Sequence, residues 1–538
     1  MRRLRIIGPP GTGKTTTLIN LIADLIKEGY EPSSVLAISF TRAGRRAIRE
    51  KVSRILRPQR LIKRRSELHY LGRTIHSVAK ELLGIPSRSV LDARKLRRFC
   101  EAYGYQITLG ETSGEEDEIE YRDTMLVTPE DYYLHFLDWA RHRRYPTFES
   151  AIAYFMHQYQ EDLPFGFSLS GLRLFIQRYE EFKKEEELWD FTDFLLGVIK
   201  ERLAPQGVKV LAVDECQDLS PLLWEIVNWW SIGTRCEVFI IAGDPLQAIY
   251  EFSGADSSIM MNWPATEEIF IEESHRVPAK VFELDRRVMT SLRCWYKQDY
   301  KPRDEEGFVQ SAYPELLGEI VERHRGERIY IIARTRMLCT KINEILMGFG
   351  VPFKALRGVK SPAQGKALEL AQLLLKLHRG EKVPIETFAD LVGETSLIPS
   401  ADFLKHGAKK ELVEFAERNP GFEIGKENLP AFGFNMEFIK RIEEGRILEV
   451  MKLSDEERKV LERALKEDLP DVTVGTIHAF KGEEADIVIL ADALTKRTYS
   501  NYLKNPQEEG KCFHVGITRA RKGLYILRGI SSLRFELL

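Results

Sequence analysis

Residues 4–19 read LRIIGPPGTGKTTTLI, and this stretch decides the fold. Leu4–Ile7 is a short apolar run of strand character, and TTLINLIADLIKEG (16–29) has helical spacing. Between them Gly8, Pro9, Pro10, Gly11, Thr12, Gly13, Lys14 and Thr15 satisfy G-x-x-x-x-G-K-[ST], with Thr16 extending the turn into the helix. Glycines at these places let successive backbone N–H groups close around phosphate oxygens. A lysine then reaches the β and γ phosphates, and a hydroxyl at Thr15 is placed to ligate Mg²⁺. Strand, phosphate turn and helix in this order predict an α/β protein that binds a nucleotide.

Working outward, short β-rich runs end in glycine, acidic or hydroxyl residues and pass into helical patterns. The first set is LRII (4–7), VLAISF (35–40), VKVLAVD (208–214) and EVFIIAGD (237–244). The second is RIYIIAR (328–334), VTVGT (472–476), DIVILA (486–491) and GLYILRG (523–529). Strands alternating with helices predict two parallel sheets, each covered on both faces. Residues 86–195 and 359–466 read as mainly helical subdomains inserted in loops of these sheets, as in GLRLFIQRYEEFKKEEELWDF (171–191). GETSGEEDEIE (110–120) reads as an acidic solvated loop.

The bulk properties exclude several classes. At 538 residues the chain exceeds a single core, and its 43% hydrophobic content is that of a globular protein. No run approaches the roughly 20 apolar residues of a membrane span, and no secretion signal opens the chain, so a cytoplasmic protein is expected. The six cysteines (100, 216, 236, 294, 339, 512) form no CxxC pair, which argues against zinc, iron–sulfur clusters and a disulfide framework. Lysine and arginine (79) nearly balance aspartate and glutamate (81), so any nucleic-acid footprint must be local. TRAGRRAIREKVSRILRPQRLIKRR (41–65) supplies one, with Glu50 as its sole acidic residue. The 30% charged content leans toward heat adaptation through surface ion pairs.

LAVDECQD (211–218) completes the nucleotide reading. Asp214 at a strand end can hold the Mg²⁺ shell, and Glu215 beside it can polarise the attacking water. Further motifs follow: ISFTRAGRRAIREKV (38–52), TIHSVAKELL (74–83), IIAGDPLQAIYEFSGAD (240–256), EESHRVPAKVFEL (272–284), VTVGTIHAFKGEEADIVIL (472–490) and CFHVGITRARKGLYI (512–526). In this order, over nearly the whole chain, they resemble the motor motifs of superfamily 1 helicases of the UvrD/Rep/PcrA branch.

The resemblance implies two RecA-like P-loop motor domains with ATP between them. It divides the chain into motor domain 1A (1–85 plus 196–275), helical insertion 1B (86–195), motor domain 2A (276–358 plus 467–538) and a reduced insertion 2B (359–466). Gln247 would align the hydrolytic water, Arg276 and Arg519 would be arginine fingers, His275 would stack on the base and Glu484 would contact the ribose. Phe40, Thr41, Arg42, His76, Tyr250, Phe252, Thr476 and His478 match strand-contacting positions. An aromatic face accepts any base, worth about 1–3 kcal/mol per stacked base. The implied activity is ATP- and Mg²⁺-dependent 3′–5′ unwinding by a monomer acting on single-stranded DNA and its duplex junctions, with replication or repair proteins as partners; the pathway, whether repair, plasmid or viral replication, or defence, is not fixed by the sequence.

The chain departs from the family at defined places. The family carries an upstream glutamine that reads adenine, for which the seven residues before Gly8 leave no room. His275 stands where a tyrosine is usual, and Ser253 where an arginine often couples strand to nucleotide. Relaxed nucleotide choice is therefore expected. A translocase that strips proteins without unwinding, an RNA helicase and a regulatory NTPase are the alternatives; the aromatics and the basic run weigh against the last.

Overall fold

The computed structural model describes residues 1–40, 42–62, 64–108, 128–159, 163–292, 300–356, 361–466 and 471–537. The acidic stretch 110–120, Thr41 and Cys294 lie outside these residues.

Strands β1 (Arg2–Ile7), β2 (Val35–Ser39), β3 (Leu71–Arg73), β4 (Val210–Asp214), β5 (Val238–Gly243) and β6 (Glu267–Phe270) form one six-stranded parallel sheet in the order β3-β2-β4-β5-β1-β6. β2, β4 and β5 are buried along their whole length, which is why they read as unbroken apolar runs. Ser39 lies opposite Asp214 and Ile7 opposite Gly243, so the carboxyl ends of four strands finish at one level. The turns that leave this edge carry the site, as expected for an open α/β sheet.

A two-stranded parallel ribbon, β7 (Glu273–Pro278) with β8 (Lys301–Arg303), follows the first sheet. The second sheet contains β9 (Phe308–Ala312), β10 (Arg328–Ala333), β11 (Lys354–Ala355), and, after the antiparallel pair β12 (Val383–Pro384) and β13 (Glu423–Ile424), β14 (Asp471–Thr476), β15 (Ala485–Ala491) and β16 (Ala520–Leu527). Its order is β11-β14-β10-β15-β16-β9, again all parallel.

All eight runs read as strands are strands. The others, β3, β6, β9 and β11, are short or half-exposed edges; the EEIF of β6 has three exposed residues and no apolar run to announce it. Each sheet has a hydrophobic layer on both faces. In the first, Leu18, Ile19, Ile22 and Ile48 cover one face and Val78, Phe194, Leu222 and Trp224 the other.

The two insertions have cores of their own. Helices Ala93–Tyr103, Pro129–Arg143 and Leu169–Glu185 bury Phe99, Phe136, Trp139, Phe175 and Tyr179 against one another. Lys366–His378, Ile385–Glu394 and Met436–Glu443 enclose Leu370, Phe388, Phe434 and Phe438. Phe194, Leu195 and Val198 on helix Phe191–Lys200 pack into the first sheet's layer, so this helix joins insertion to motor. Among the described residues no helix is long and apolar enough to cross a membrane.

Candidate active site

The phosphate turn leaves β1 and enters helix α1 (Lys14–Lys27). Gly13 caps that helix at φ 85°, and Gly11 lies at φ 75°. Both are left-handed conformations that glycine adopts without penalty. At Gly11 space decides as well: a Cβ would come 2.4 Å from Cβ of Arg276 and 2.8 Å from Oγ of Ser274. The turn is therefore pressed against β7. The His275 amide donates to the Gly11 carbonyl (2.9 Å), and the Ser274 hydroxyl donates to the Pro10 carbonyl (2.8 Å). Lys14 is buried, and its Nζ donates to the carbonyls of Gly8 (2.8 Å) and Pro9 (3.4 Å); the Thr12 hydroxyl also donates to Pro9 (2.9 Å). Lys51, in the basic run, donates to the Thr16 hydroxyl at 2.8 Å.

Asp214 ends β4, and its Oδ2 accepts from the Thr15 hydroxyl at 2.6 Å. Burial, and next the charge of Glu215, push the Asp214 carboxyl up to about 6. Glu215 itself is held below the ordinary carboxylate range: burial opposes this, but Lys14 and Lys481 outweigh it. Its backbone sits at φ 55°, ψ 39°, a strained state for a residue with a Cβ. Gln217 fixes the pair by donating to Glu215 Oε2 (2.6 Å), while its own oxygen accepts from the Asp244 amide (3.0 Å). Asp244 in turn accepts from the Gln247 side chain at 2.6 Å.

The second sheet contributes the opposite wall. Arg519, 1% exposed in the turn immediately before β16, donates to the carbonyls of Val515 (2.9 Å) and Glu483 (3.2 Å). It also reaches Gln247 Oε1 across the cleft at 3.3 Å and the Thr518 hydroxyl at 3.3 Å. These partners are all neutral. Burial, and next the neighbouring guanidinium of Arg276, lower its proton affinity to about 9, so the position favours an incoming anion. Arg276 on β7 is tied to Glu484 (2.7 Å), which also accepts from Arg521 (2.6 Å). Glu484, read as the ribose contact, thus bridges two arginines. His275 is exposed beside the turn.

The strand-contacting candidates separate into groups. Phe40, Tyr250, Phe252 and His478 form one aromatic cluster where the sheets meet, with ring centroids 5.7 Å (Phe40 and Tyr250), 6.2 Å (Tyr250 and Phe252) and 5.4 Å (Phe252 and His478) apart. Phe40 and Phe252 are half-buried; Tyr250 and His478 are buried beneath them, with the Tyr250 hydroxyl donating to the His478 carbonyl (3.4 Å). Thr476 is buried at the end of β14 and its hydroxyl caps the following turn. His76 is buried on helix Ile75–Leu82 and lies edge-on to Phe191, at 6.0 Å. Arg42 opens the basic helix α2 (Arg42–Ile55), whose Arg49 donates to the Gly72 carbonyl at 3.0 Å. Part of the basic run therefore serves the fold.

One residue central to this arrangement received no role from the sequence. Lys481, 6% exposed, extends from the second sheet's side to Asp218 Oδ2 (2.5 Å) and the Gln247 carbonyl, and its Nζ lies 5.2 Å from the Tyr250 ring centroid. It joins the carboxylate segment, the Gln247 turn and the aromatic cluster at one point. The signal was a lysine directly after His478, Ala479 and Phe480, all of them buried.

Comparison with known proteins finds two family matches in the chain. Residues 2–266 match the UvrD/REP helicase N-terminal domain, and residues 435–528 match the UvrD-like helicase C-terminal domain. The ATP-dependent DNA helicase UvrD2 of Mycobacterium tuberculosis is 23% identical over 98% of this chain and 76% of its own length. The ATP-dependent DNA helicase PcrA of Staphylococcus aureus is 22% identical over 99% of this chain and 82% of its own. PcrA of Leuconostoc citreum is likewise 22% identical over 99% of the chain.

Proposed function

We propose, for a chain that belongs to the UvrD/REP helicase family, that it is an ATP-driven motor tracking 3′ to 5′ on single-stranded DNA and separating the duplex ahead. The observation that carries this is the contact of Arg519 with Gln247. An arginine of the second sheet completes a hydrolytic centre whose other groups belong to the first, so catalysis is linked to the relative placement of the two halves.

The residues fit a magnesium nucleotide. The Thr15 hydroxyl and the Asp214 carboxylate face each other in a buried corner beside the phosphate turn and would hold Mg²⁺, which supplies charge neutralisation at the β and γ oxygens. Lys14 exchanges its bonds to loop carbonyls for phosphate oxygens. Glu215, kept ionised by Lys14 and Lys481 against its burial, accepts hydrogen bonds from the attacking water, with Gln247 orienting it. Arg519 and Arg276 neutralise charge on the transferring phosphoryl group. For Arg276 this means leaving Glu484, which is then open to the ribose.

On the strand side, bases stack on the half-exposed rings of Phe40 and Phe252, with Tyr250 and His478 as their support. Base recognition rests on the exposed His275 imidazole, a smaller face than an aromatic phenol offers. GTP and CTP should therefore be hydrolysed with kcat/KM within about tenfold of ATP, a preference worth about 1.4 kcal/mol; a steep ATP preference refutes this.

Polarity and unwinding are read together with tailed duplexes. A 3′-tailed DNA duplex should be separated in the presence of ATP and a 5′-tailed one should not. Unwinding from the 5′ tail reverses the assigned direction. DNA-stimulated hydrolysis without strand separation makes the chain a translocase, hydrolysis indifferent to DNA makes it a regulatory NTPase, and preference for the RNA versions makes it an RNA helicase.

A further inference from the structure

Behind the two arginines lies a buried group of three side chains that no step above uses. Asp285 and His514 are each 0% exposed and Tyr300 is 2% exposed. Asp285 Oδ1 lies 2.7 Å from His514 Nδ1, and Oδ2 accepts from the Tyr300 hydroxyl at 2.8 Å.

Its place in the chain is informative. Asp285 is on helix Ala279–Ser291, which begins directly after the strand that carries Arg276. His514 is on helix Pro506–Ile517, which ends just before Arg519. The His514 carbonyl accepts from the Thr518 hydroxyl (2.8 Å), and the Val515 carbonyl one residue on accepts from Arg519 Nε (2.9 Å). The Thr518 carbonyl then accepts from Arg276 Nη1 at 3.5 Å. Arg519 and Arg276 thus both bond to the end of helix Pro506–Ile517, Arg276 is also joined through its strand to helix Ala279–Ser291, and the two helices are tied at the buried pair.

A buried ion pair is weak evidence for stability, and its best-attested use is to set the register of the elements that carry it. Although burial acts against the charged imidazole, Asp285 raises its proton affinity above the ordinary histidine value; Asp244 acts the same way and Arg519 opposes. Charge at this point is therefore shared with the site itself.

We propose that Asp285 and His514, steadied by Tyr300, are positioning residues that set the spacing of Arg276 and Arg519 across the transferring phosphoryl group, so that they govern kcat and not nucleotide affinity. This rests on the reading of the two arginines given above.

The test uses the full chain in a DNA-stimulated ATPase assay, with binding of ADP alone and of ADP with aluminium fluoride measured alongside. Asp285→Asn should lower kcat about 10- to 100-fold, as a small misplacement does, leave KM for ATP and ADP affinity unchanged, and weaken the aluminium fluoride complex in proportion to kcat. Combined with Arg519→Ala it should cause no further loss, since it acts through that residue. Tyr300→Phe removes only a hydroxyl; it should show the same pattern in weaker form and carries the test alone if Asp285→Asn does not fold. A kcat within about twofold of the parent in the folded variant, a loss that tracks a lowered melting temperature, or full additivity with Arg519→Ala overturns the proposal. If Arg519→Ala itself is fully active, the reading of the arginines fails first.

Discussion

Lys14→Ala should abolish measurable ATP hydrolysis, with kcat falling by at least about 10³-fold, while binding of single-stranded DNA stays at the parental level. The ammonium group is buried and, among the described residues, donates to carbonyls of the turn it serves, so those bonds can pass to a triphosphate. Removing one preorganised donor from such a centre costs about 10²–10³ in rate. Here the loss is compounded, because Lys14 also heads the favourable charges that keep Glu215 ionised. The aromatic cluster and the basic helix are separate side chains on other turns, so strand affinity is unaffected. Measurement of kcat together with single-strand affinity checks both halves; retained hydrolysis would remove the phosphate turn from the mechanism.

Arg519→Ala should slow hydrolysis by about 10³-fold with little change in nucleotide affinity, the signature of a group that acts on the transition state. The argument is electrostatic. A guanidinium with neutral hydrogen-bond partners, buried and facing a second guanidinium, gains most when negative charge appears beside it. The variant also deprives Gln247 Oε1 of its donor, so the water-orienting amide loses its fixed direction. Full activity of Arg519→Ala would mean that the cleft closes on some other cation.

The eight central strands were legible because each carries a short β-rich run, unbroken where, as in β2, β4 and β5, the strand is buried along its whole length. The edges were not, since β6 is written EEIF and β3 is three residues long. The phosphate turn was legible for a different reason: its geometry is local, with glycines, lysine and threonine within eight residues. What stayed hidden was pairing at a distance. Lys481 meets Asp218 across 263 residues and His514 meets Asp285 across 229, and nothing in either segment names its partner. The aromatic cluster shows the same limit. Sequence marked Phe40, Tyr250, Phe252 and His478 individually, but only packing distinguishes the half-exposed rings from the buried ones.

The position of β1 between β5 and β6 bears on how the protein is made. Arg2 is registered with Val238 and Leu4 with Glu267, so both neighbours of the earliest strand emerge more than two hundred residues after it. At about 5–20 residues per second the ribosome leaves that strand without either partner for tens of seconds. An unpaired apolar strand with two open edges is an aggregation hazard. Arg2, Arg3 and Arg5 interrupt and flank Leu4, Ile6 and Ile7, and in the finished sheet Arg2 pairs with Glu267 on β6. The same arginine that charges the nascent strand is thus ion-paired with its last partner in the finished sheet.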